Sequence, residues 1–456
     1  MEPDIHQLLP IYQRWLPVQV IEQLLKETGR RFYTRLLPPI LVLWGFIFQR
    51  LSADHTCDAA WCHLSDGWVS QVLGVGTGQP KHRSESVSGY CQSRRRLPVS
   101  VARGALNWSA QALRQELGDR ALWHGHPVNL MDGSTLLLQA TPELSQHYGV
   151  ASNQHGASHW PLMRLVAGFD LFSGAVHEVA EGPYQTSEHH LASQVILRSG
   201  PGWVYVGDRN FGVYHLLQVI VAAHSDALLR LKVAQAKRVG ASPLFCGCDL
   251  DVVWSPSRFD HTEPGLPTPA VGGRVIYVRL EREGFRPIDL YLFTTLTDRK
   301  EFPIPELVTL YGRRWGIELD LRHVKTTLKM ERLDGKSVDI VQKELLLGLL
   351  AYNLLRGFMA MAALRAQRSP GELSLAQCWR RIQQAAVNLP MAASVADIEQ
   401  ALDQLLARLG RCILPRRRQK RFEPRAVWGR PRVYPTIKGS RDEARQLCLE
   451  HMKAES

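Results

Sequence analysis

A stretch in the last third of the chain, Tyr311-Gly-Arg-Arg314-Trp-Gly-Ile-Glu318-Leu-Asp-Leu-Arg-His-Val-Lys325, holds a phenol, a guanidinium, a carboxylate and an ammonium at successive spacings of three, four and seven. At about 100° per residue on one helix, Arg314, Glu318 and Lys325 fall within roughly 60° of Tyr311, while Asp320 points to the opposite side. Leu310, Ile317, Leu321, Val324 and Leu328 form an apolar band beside that stripe, so the helix is expected to bury one face and carry the charges at its edge. A carboxylate flanked by Arg, Lys and a phenol suits a phosphate polyanion held next to a metal. An amphipathic helix whose charges pair along its own surface is the competing reading.

Two upstream segments favour chemistry. Val128-Asn-Leu-Met-Asp132-Gly133 and Trp203-Val-Tyr-Val-Gly-Asp208-Arg209 each read as a buried strand ending in an acid, and residues 213–223 after the second are apolar enough for a helix packed on the sheet. Taken singly, Asp132 also reads as the start of a turn and Asp208 as a helix N-cap. Taken together, two acids at strand ends and one on a helix make an all-oxygen donor set of the kind that Mg2+ takes, with Mn2+ able to substitute. Two such ions would share the carboxylates, one activating a water or 3′ hydroxyl and the other stabilising the leaving oxygen in an in-line displacement at a phosphodiester. Lys325, Arg314 and Tyr311, with Arg209 beside the second acid, would then grip the DNA backbone.

The pattern Tyr-x2-Arg-x3-Glu-x6-Lys at Tyr311, Arg314, Glu318 and Lys325 resembles the signature of bacterial insertion-sequence transposases of the DDE class, insertion-sequence type 4 family. The Asp132-Gly and Asp208-Arg-x-Phe segments are similar to that family's first and second acid motifs, in the same order. The resemblance implies that Asp132, Asp208 and Glu318 are the catalytic triad and the metal ligands. Asp208 and Glu318 stand 110 residues apart, an interval that in this family carries a β-rich insertion. Residues 274–280 and 288–295 are suitably alternating or β-branched. The resemblance further implies binding to terminal inverted repeats, cleavage at the element ends, strand transfer into target DNA and a homodimer in the synaptic complex. Where a hairpin forms on the element end, an aromatic would capture a flipped base, and Trp254 is the candidate. An inactive or domesticated DNA-binding relative, and an RNase H-like nuclease that cuts without joining, stay open as alternatives.

The elements that must position these residues read as an α/β protein: an RNase H-like catalytic core with a β-rich insertion, flanked by helical N-terminal and C-terminal regions. The expected division is a helical DNA-end-binding domain over 1–122, a catalytic domain over 123–335 with its insertion at about 236–302, and a helical region with a basic tail over 336–456. Apolar periodicity predicts helices over 18–25, 40–51 and 101–117, then 188–197, 341–356 and 398–409. A hairpin is expected from 163–170 and 174–180, and a strand over 227–233. Asp170 begins its turn and Glu178 lies in a strand without a fitting motif, so neither joins the triad. A capped helix from Ser84 ends in Arg94, Arg95 and Arg96 before Pro98. It is the preferred DNA-contacting helix, although a basic helix end also complements the helix dipole. Residues 416–432, with eight Lys or Arg, one acid and two aromatics, read as a DNA-backbone arm or as a solubilising tail.

Composition fits a polyanionic partner: 55 Lys and Arg against 43 Asp and Glu give +12 over 456 residues. DNA is the natural candidate, though ribosomal and membrane-surface proteins share such a balance. The start Met1-Glu-Pro-Asp lacks a basic segment followed by an apolar run, and residues 36–48 are too short and Pro-interrupted to span a bilayer. The expected location is therefore cytoplasmic, on the nucleoid when bound to DNA, with no membrane partner. Eight cysteines in this length do not suggest a disulfide scaffold, and the compact set His55, Cys57, Cys62 and His63 lacks the two separated pairs of a structural zinc site.

Overall fold

The computed structural model describes residues 8–32, 37–52, 54–65, 67–74, 87–153, 156–240, 244–281, 288–388 and 395–414, with single positions at 440, 443, 446 and 450. The basic segment at 416–432 and the start of the arginine helix at 84–86 lie outside the described residues.

Helices come first: α1 (Leu9–Tyr12), α2 (Val18–Glu27), α3 (Pro39–Leu51), α4 (Cys57–Ser65), α5 (Trp68–Val72), α6 (Ser88–Arg94) and α7 (Val99–Leu117). Prolines in extended conformation precede α2, α3 and α7 and set where each begins. All 13 residues of α3 are buried, which explains why its apolar run shows no polar face.

The sheet follows, from β1 (Val128–Leu137), α8 (Pro142–Tyr148), β2 (Val150–Asn153), β3 (Gly156–Asp170), β4 (Val176–Pro183), α9 (Glu188–Ser199), β5 (Val204–Gly207), α10 (Tyr214–Ala222), β6 (Asp226–Arg230), α11 (Val233–Gly240), β7 (Asp249–Trp254), β8 (Val271–Leu280) and β9 (Ile288–Thr294). β4, β3 and β1 form an antiparallel meander, β5 joins β1 in parallel and β6 joins β5 in parallel. The order β4-β3-β1-β5-β6 is that of an RNase H-like core, as expected. β9 pairs antiparallel with β6, and β8 and β7 follow outward, so the β-rich insertion prolongs the core sheet.

Strand alternation divides the interior in two. Val128, Leu130, Val204 and Val206 belong to a core shared with α3, α7 and the C-terminal helices, whereas Met131 and Tyr205 face the core under α9 and α10.

The C-terminal elements are α12 (Ile304–Arg313), α13 (Trp315–Arg322), a π-helical turn (His323–Thr327), α14 (Val338–Arg365), α15 (Leu375–Asn388) and α16 (Val395–Leu409). The single helix expected across 311–325 is interrupted. The Arg314 and Ile317 amides donate three residues back, each at 3.0 Å, to the Tyr311 and Arg314 carbonyls, and the Leu328 amide donates five back to His323 at 3.2 Å. The helix is thus overwound at Arg314 and underwound around Lys325, and Gly312 and Gly316 flank the overwound point, where they weaken its own preference for a uniform helix. By length and composition α14 matches a membrane span, but its most apolar window is 94% buried inside the protein, where α14 packs on α3, α7, β4 and α16.

Two buried arginines tie these parts together. Arg50 of α3 pairs with Glu344 of α14 at 3.2 Å, each side chain 4% exposed, and donates to the Leu328 carbonyl at 3.2 Å. Arg274 of β8, fully buried, bonds Asp249 of β7 and the carbonyls of Leu296 (3.1 Å) and Phe302 (2.9 Å), fixing the insertion to the connection that leads into α12.

Candidate active site

The pairing of β1 with β5 aligns Leu130 with Val206. Asp132 follows two residues further along β1, and Asp208 two residues past Val206, just beyond the end of β5 at Gly207. Alternation turns Asp132 to the face of β1 that carries Leu130. α13 packs over β1 on that face, its Ile317 in the same core. Glu318 follows Ile317 in α13; its side chain lies outside the described residues. The exit from the helix is also fixed, because the Leu137 amide donates to the Glu331 carbonyl and the Leu333 amide to the Leu137 carbonyl, both at 2.9 Å.

The first acid does not end its strand. β1 runs on to Leu137, with Asp132 opposite Ala167, so the Asp-Gly pair sits inside a strand and Gly133 serves packing rather than a turn. A β-carbon at Gly133 would stand 2.7 Å from Cδ of Glu188. Asp132 is half-buried and its Oδ1 accepts the Gly133 amide at 2.9 Å.

The second acid opens a tight turn, its Oδ1 accepting the amides of Asn210 (2.7 Å) and Phe211 (3.4 Å). The helix N-cap reading of Asp208 is not met, because α10 begins at Tyr214 after Val213 and Asp208 caps only its own turn, and the carboxylate remains half-exposed. Gly212 lets that turn approach β6, since a β-carbon there would lie 2.1 Å from the Arg230 carbonyl oxygen.

Nearby acids are held elsewhere. Asp320 accepts from the Tyr352 hydroxyl at 3.1 Å and lies 3.6 Å from Arg356, which anchors α13 on α14. Asp170 caps its own turn through the Ser173 amide at 2.8 Å, and burial holds its pKa above the usual range. Glu178 is buried against Arg103 and Asn107.

The basic residues divide. Arg209 is exposed beside the second acid. Arg314 is 7% exposed, its guanidinium 5.9 Å from the Tyr311 ring centre and 6.0 Å from that of Trp315. Lys325 is half-buried in the π-helical turn, and loss of water lowers its pKa, partly offset by Glu331.

Three expectations need correction. Tyr311 is 1% exposed among core residues that include Leu307 and Leu310, because the broken helix turns it inward; the exposed ring beside it is Trp315. Arg94 points into the protein, over the Phe46 ring at 4.3 Å and towards Cys57 Sγ at 2.9 Å, leaving Arg95 and Arg96 exposed. These two line a cavity of about 220 Å3 together with Arg30 and Arg31. Trp254 is 1% exposed and packs edge-on against Phe293, so it offers no platform to a base.

Sequence reasoning missed Glu188 at the start of α9, whose Oε2 accepts from Asn210 Nδ2 at 2.7 Å. The only trace of it in sequence is the glycine after Asp132. Among the described residues no three His, Cys, Asp or Glu side chains form a ready metal cluster, and the Glu318 side chain is not among those described. The chemistry of the expected donors nevertheless fits a hard divalent cation: two aspartates and a glutamate offer oxygen ligands only.

Residues 123–354 match a family model described as the transposase DDE domain. The chain is 28% identical over 356 residues to the transposase InsG for insertion sequence element IS4 of Escherichia coli strain K12, an alignment covering 76% of this chain and 78% of that protein. Among solved structures, it is similar to the piggyBac transposase in a synaptic complex with hairpin DNA, with a TM-score of 0.41 and 8% identity over 87% of this chain and 84% of that one.

Proposed function

This chain belongs to the DDE transposases of the insertion-sequence type 4 family, and from that premise we propose that it binds the terminal inverted repeats of its element, cuts the DNA at their ends and joins the freed 3′ hydroxyls to target DNA. The observation that supports the reading is the parallel pairing of β1 with β5, the strands that lead into Asp132 and Asp208, with α13, the helix that contains Glu318, packed on β1.

Asp132, Asp208 and Glu318 would hold Mg2+, or Mn2+ in its place. When bound, the metal supplies Lewis acidity and lowers the pKa of the attacking oxygen. With Asp132 in β1 and Asp208 held by amides of its own turn, little reorganisation would remain for these two carboxylates at the moment of reaction. Arg314 and Lys325 neutralise the phosphate backbone near the cut. Arg209 contacts the strand beside Asp208.

End recognition belongs to the helical region over 1–122, where Arg30, Arg31, Arg95 and Arg96 gather around one cavity and offer phosphate contacts. The catalytic domain spans 123–335 with its insertion at about 236–302, and the region 336–456 completes the chain. Two copies bring two ends together, and the protein acts in the cytoplasm on nucleoid DNA.

The test is an end-cleavage and strand-transfer assay in Mg2+ on DNA carrying the element's ends, comparing wild type with Asp132→Asn, Asp208→Asn and Glu318→Gln. Each variant is expected to bind ends as wild type does and to lose cutting by at least about 100-fold. Cutting without joining by the wild type would make the protein a nuclease. Binding without cutting in every protein would make it a DNA-binding relative.

A further inference from the structure

A second cavity, of about 680 Å3, opens where the first helical region meets the sheet and the exit of α14. Arg120, Arg313 and Arg368 line it together with Phe172, Gln367 and Ser369, and among the described residues no acid lines it. The three arginines come from distant parts of the chain: Arg120 from the short helical turn after α7, Arg313 from the end of α12, and Arg368 from the segment that leaves α14. All three are exposed. Among the described residues neither Arg120 nor Arg313 forms an ion pair, and Arg368 stands 3.4 Å from Glu372 in an exposed pair that water weakens. The Arg313 guanidinium lies 5.5 Å from the Phe172 ring centre. A ring face holds a guanidinium without consuming its N–H donors, so they stay available to an anion.

Gln367 adds an independent sign. α14 closes with the Gln367 amide donating to the Leu364 carbonyl at 3.1 Å and the Arg368 amide to the Ala363 carbonyl at 2.8 Å, and Gln367 takes a φ of +52°. Glycine is the ordinary residue at such a closure. Here the chain keeps a side chain at the cavity wall in spite of the strain, and backbone strain of this kind gathers at ligand sites.

Guanidinium groups brought together without an acid among them repel one another and call for an anion, and their forked donors match phosphate oxygens. Phe172 packs against the core that holds Leu130 of β1 and Ile317 of α13, so the cavity lies on the side of the sheet where α13 packs. Asp170, just before the turn that carries Phe172, pairs with Asn129, and Asp132 stands three residues further along β1, about 10 Å of strand. One strand of duplex DNA covers that length with about three nucleotides.

We propose that this cavity is a DNA-backbone site that takes phosphodiesters of a strand passing Asp132, a few nucleotides from the cut. The proposal rests on the reading of Asp132, Asp208 and Glu318 as the cutting centre. The same phosphates come from the element's end or from target DNA, and the two arms of the test separate these sources.

The experiment follows the salt dependence of end-DNA affinity for the full chain without metal, and the dependence of strand transfer by precut ends in Mg2+ on target concentration. Arg120→Gln with Arg313→Gln removes two charges at exposed positions, so the urea midpoint should match wild type. With the element's end in the cavity, the plot of log affinity against log salt becomes shallower by about 2 and affinity drops by about 10-fold. With target DNA there, the target KM rises by about 10-fold while kcat holds. Arg120→Lys with Arg313→Lys keeps both charges and should recover most of the loss. Wild-type salt slope and target KM in the Gln pair overturn the proposal, as does a Lys pair that behaves like the Gln pair. Glu318→Gln separates the two readings: if it cuts normally the triad falls, and if it is inactive while the Gln pair matches wild type, the cavity site alone falls.

Discussion

Gly133→Ala is the most economical perturbation of this site, because it adds one methyl group where Glu188 packs against β1. The new β-carbon would lie 2.7 Å from Cδ, 2.8 Å from Oε1 and 3.1 Å from Cγ of Glu188, against an ordinary carbon contact of about 3.5 Å or more. Glu188 must therefore retreat by roughly 0.8 Å. The Asn210 bond, now 2.7 Å, then stretches past the useful range of about 3.2 Å. Stability changes little. The displaced group is the end of a flexible, half-exposed side chain, the lost hydrogen bond is worth about 1 kcal/mol, and replacing a strand glycine by alanine returns about 0.5–1 kcal/mol. Catalysis is more sensitive, since a misplacement near 1 Å can cost about 100-fold in rate. Single-turnover end cleavage should fall by about 10- to 100-fold while the urea midpoint stays within error. In a Glu188→Gln background the same alanine should cost little further cleavage. An unchanged cleavage rate, or a stability loss above about 3 kcal/mol, would refute the reasoning, the latter by showing that the clash falls on rigid structure.

Two predictions concern the frame around the site. Glu344→Ala leaves the Arg50 guanidinium, 4% exposed, without its carboxylate, and should lower the unfolding free energy by about 3–5 kcal/mol in urea titrations, whereas Arg50→Met with Glu344→Leu should recover most of it. His177 is stacked on Trp203 at 4.2 Å, and burial, aided by Arg114, lowers its pKa to about 3. Its folded pKa lies below the unfolded value of about 6.5, so the unfolded chain binds the extra proton. This group's contribution is therefore neutral above pH 6.5 and removes stability at up to ~1.4 kcal/mol per unit as pH falls towards 3. His177→Gln should flatten the acid limb of the stability profile; an identical limb in both proteins would exclude the residue as a source.

The elements around the acids were legible because they carry simple periodicities. The alternation in 163–170 and the apolar runs before Asp132 and Asp208 correspond to β3, β1 and β5, and the helices at 18–25, 40–51 and 101–117 to α2, α3 and α7. The pairing of β1 with β5, the strands that lead into Asp132 and Asp208, joins segments distant in sequence, and no local pattern encodes it. Tyr311 was misread because a helical wheel assumes 100° per residue throughout, and the helix is overwound at Arg314. Trp254 was misread because β7 buries Trp254 while exposing its neighbour Val253 at 64%, a choice set by which face meets α10 and β9. Glu188 was passed over because its meaning lies in two contacts, with Gly133 and Asn210, that exist only once the sheet has formed.

The pair that joins α3 to α14 links positions 294 residues apart. A ribosome adding about 5–20 residues per second needs roughly 15–60 s to make that length of chain. Throughout that interval α3, with all 13 of its residues destined for the interior, has no α14 to cover it. The nascent protein must therefore travel with an open apolar surface, a natural ligand for holding chaperones, until most of the chain has left the exit tunnel. Truncated products that stop before residue 338 would keep that surface permanently, which makes them substrates for degradation rather than partial enzymes.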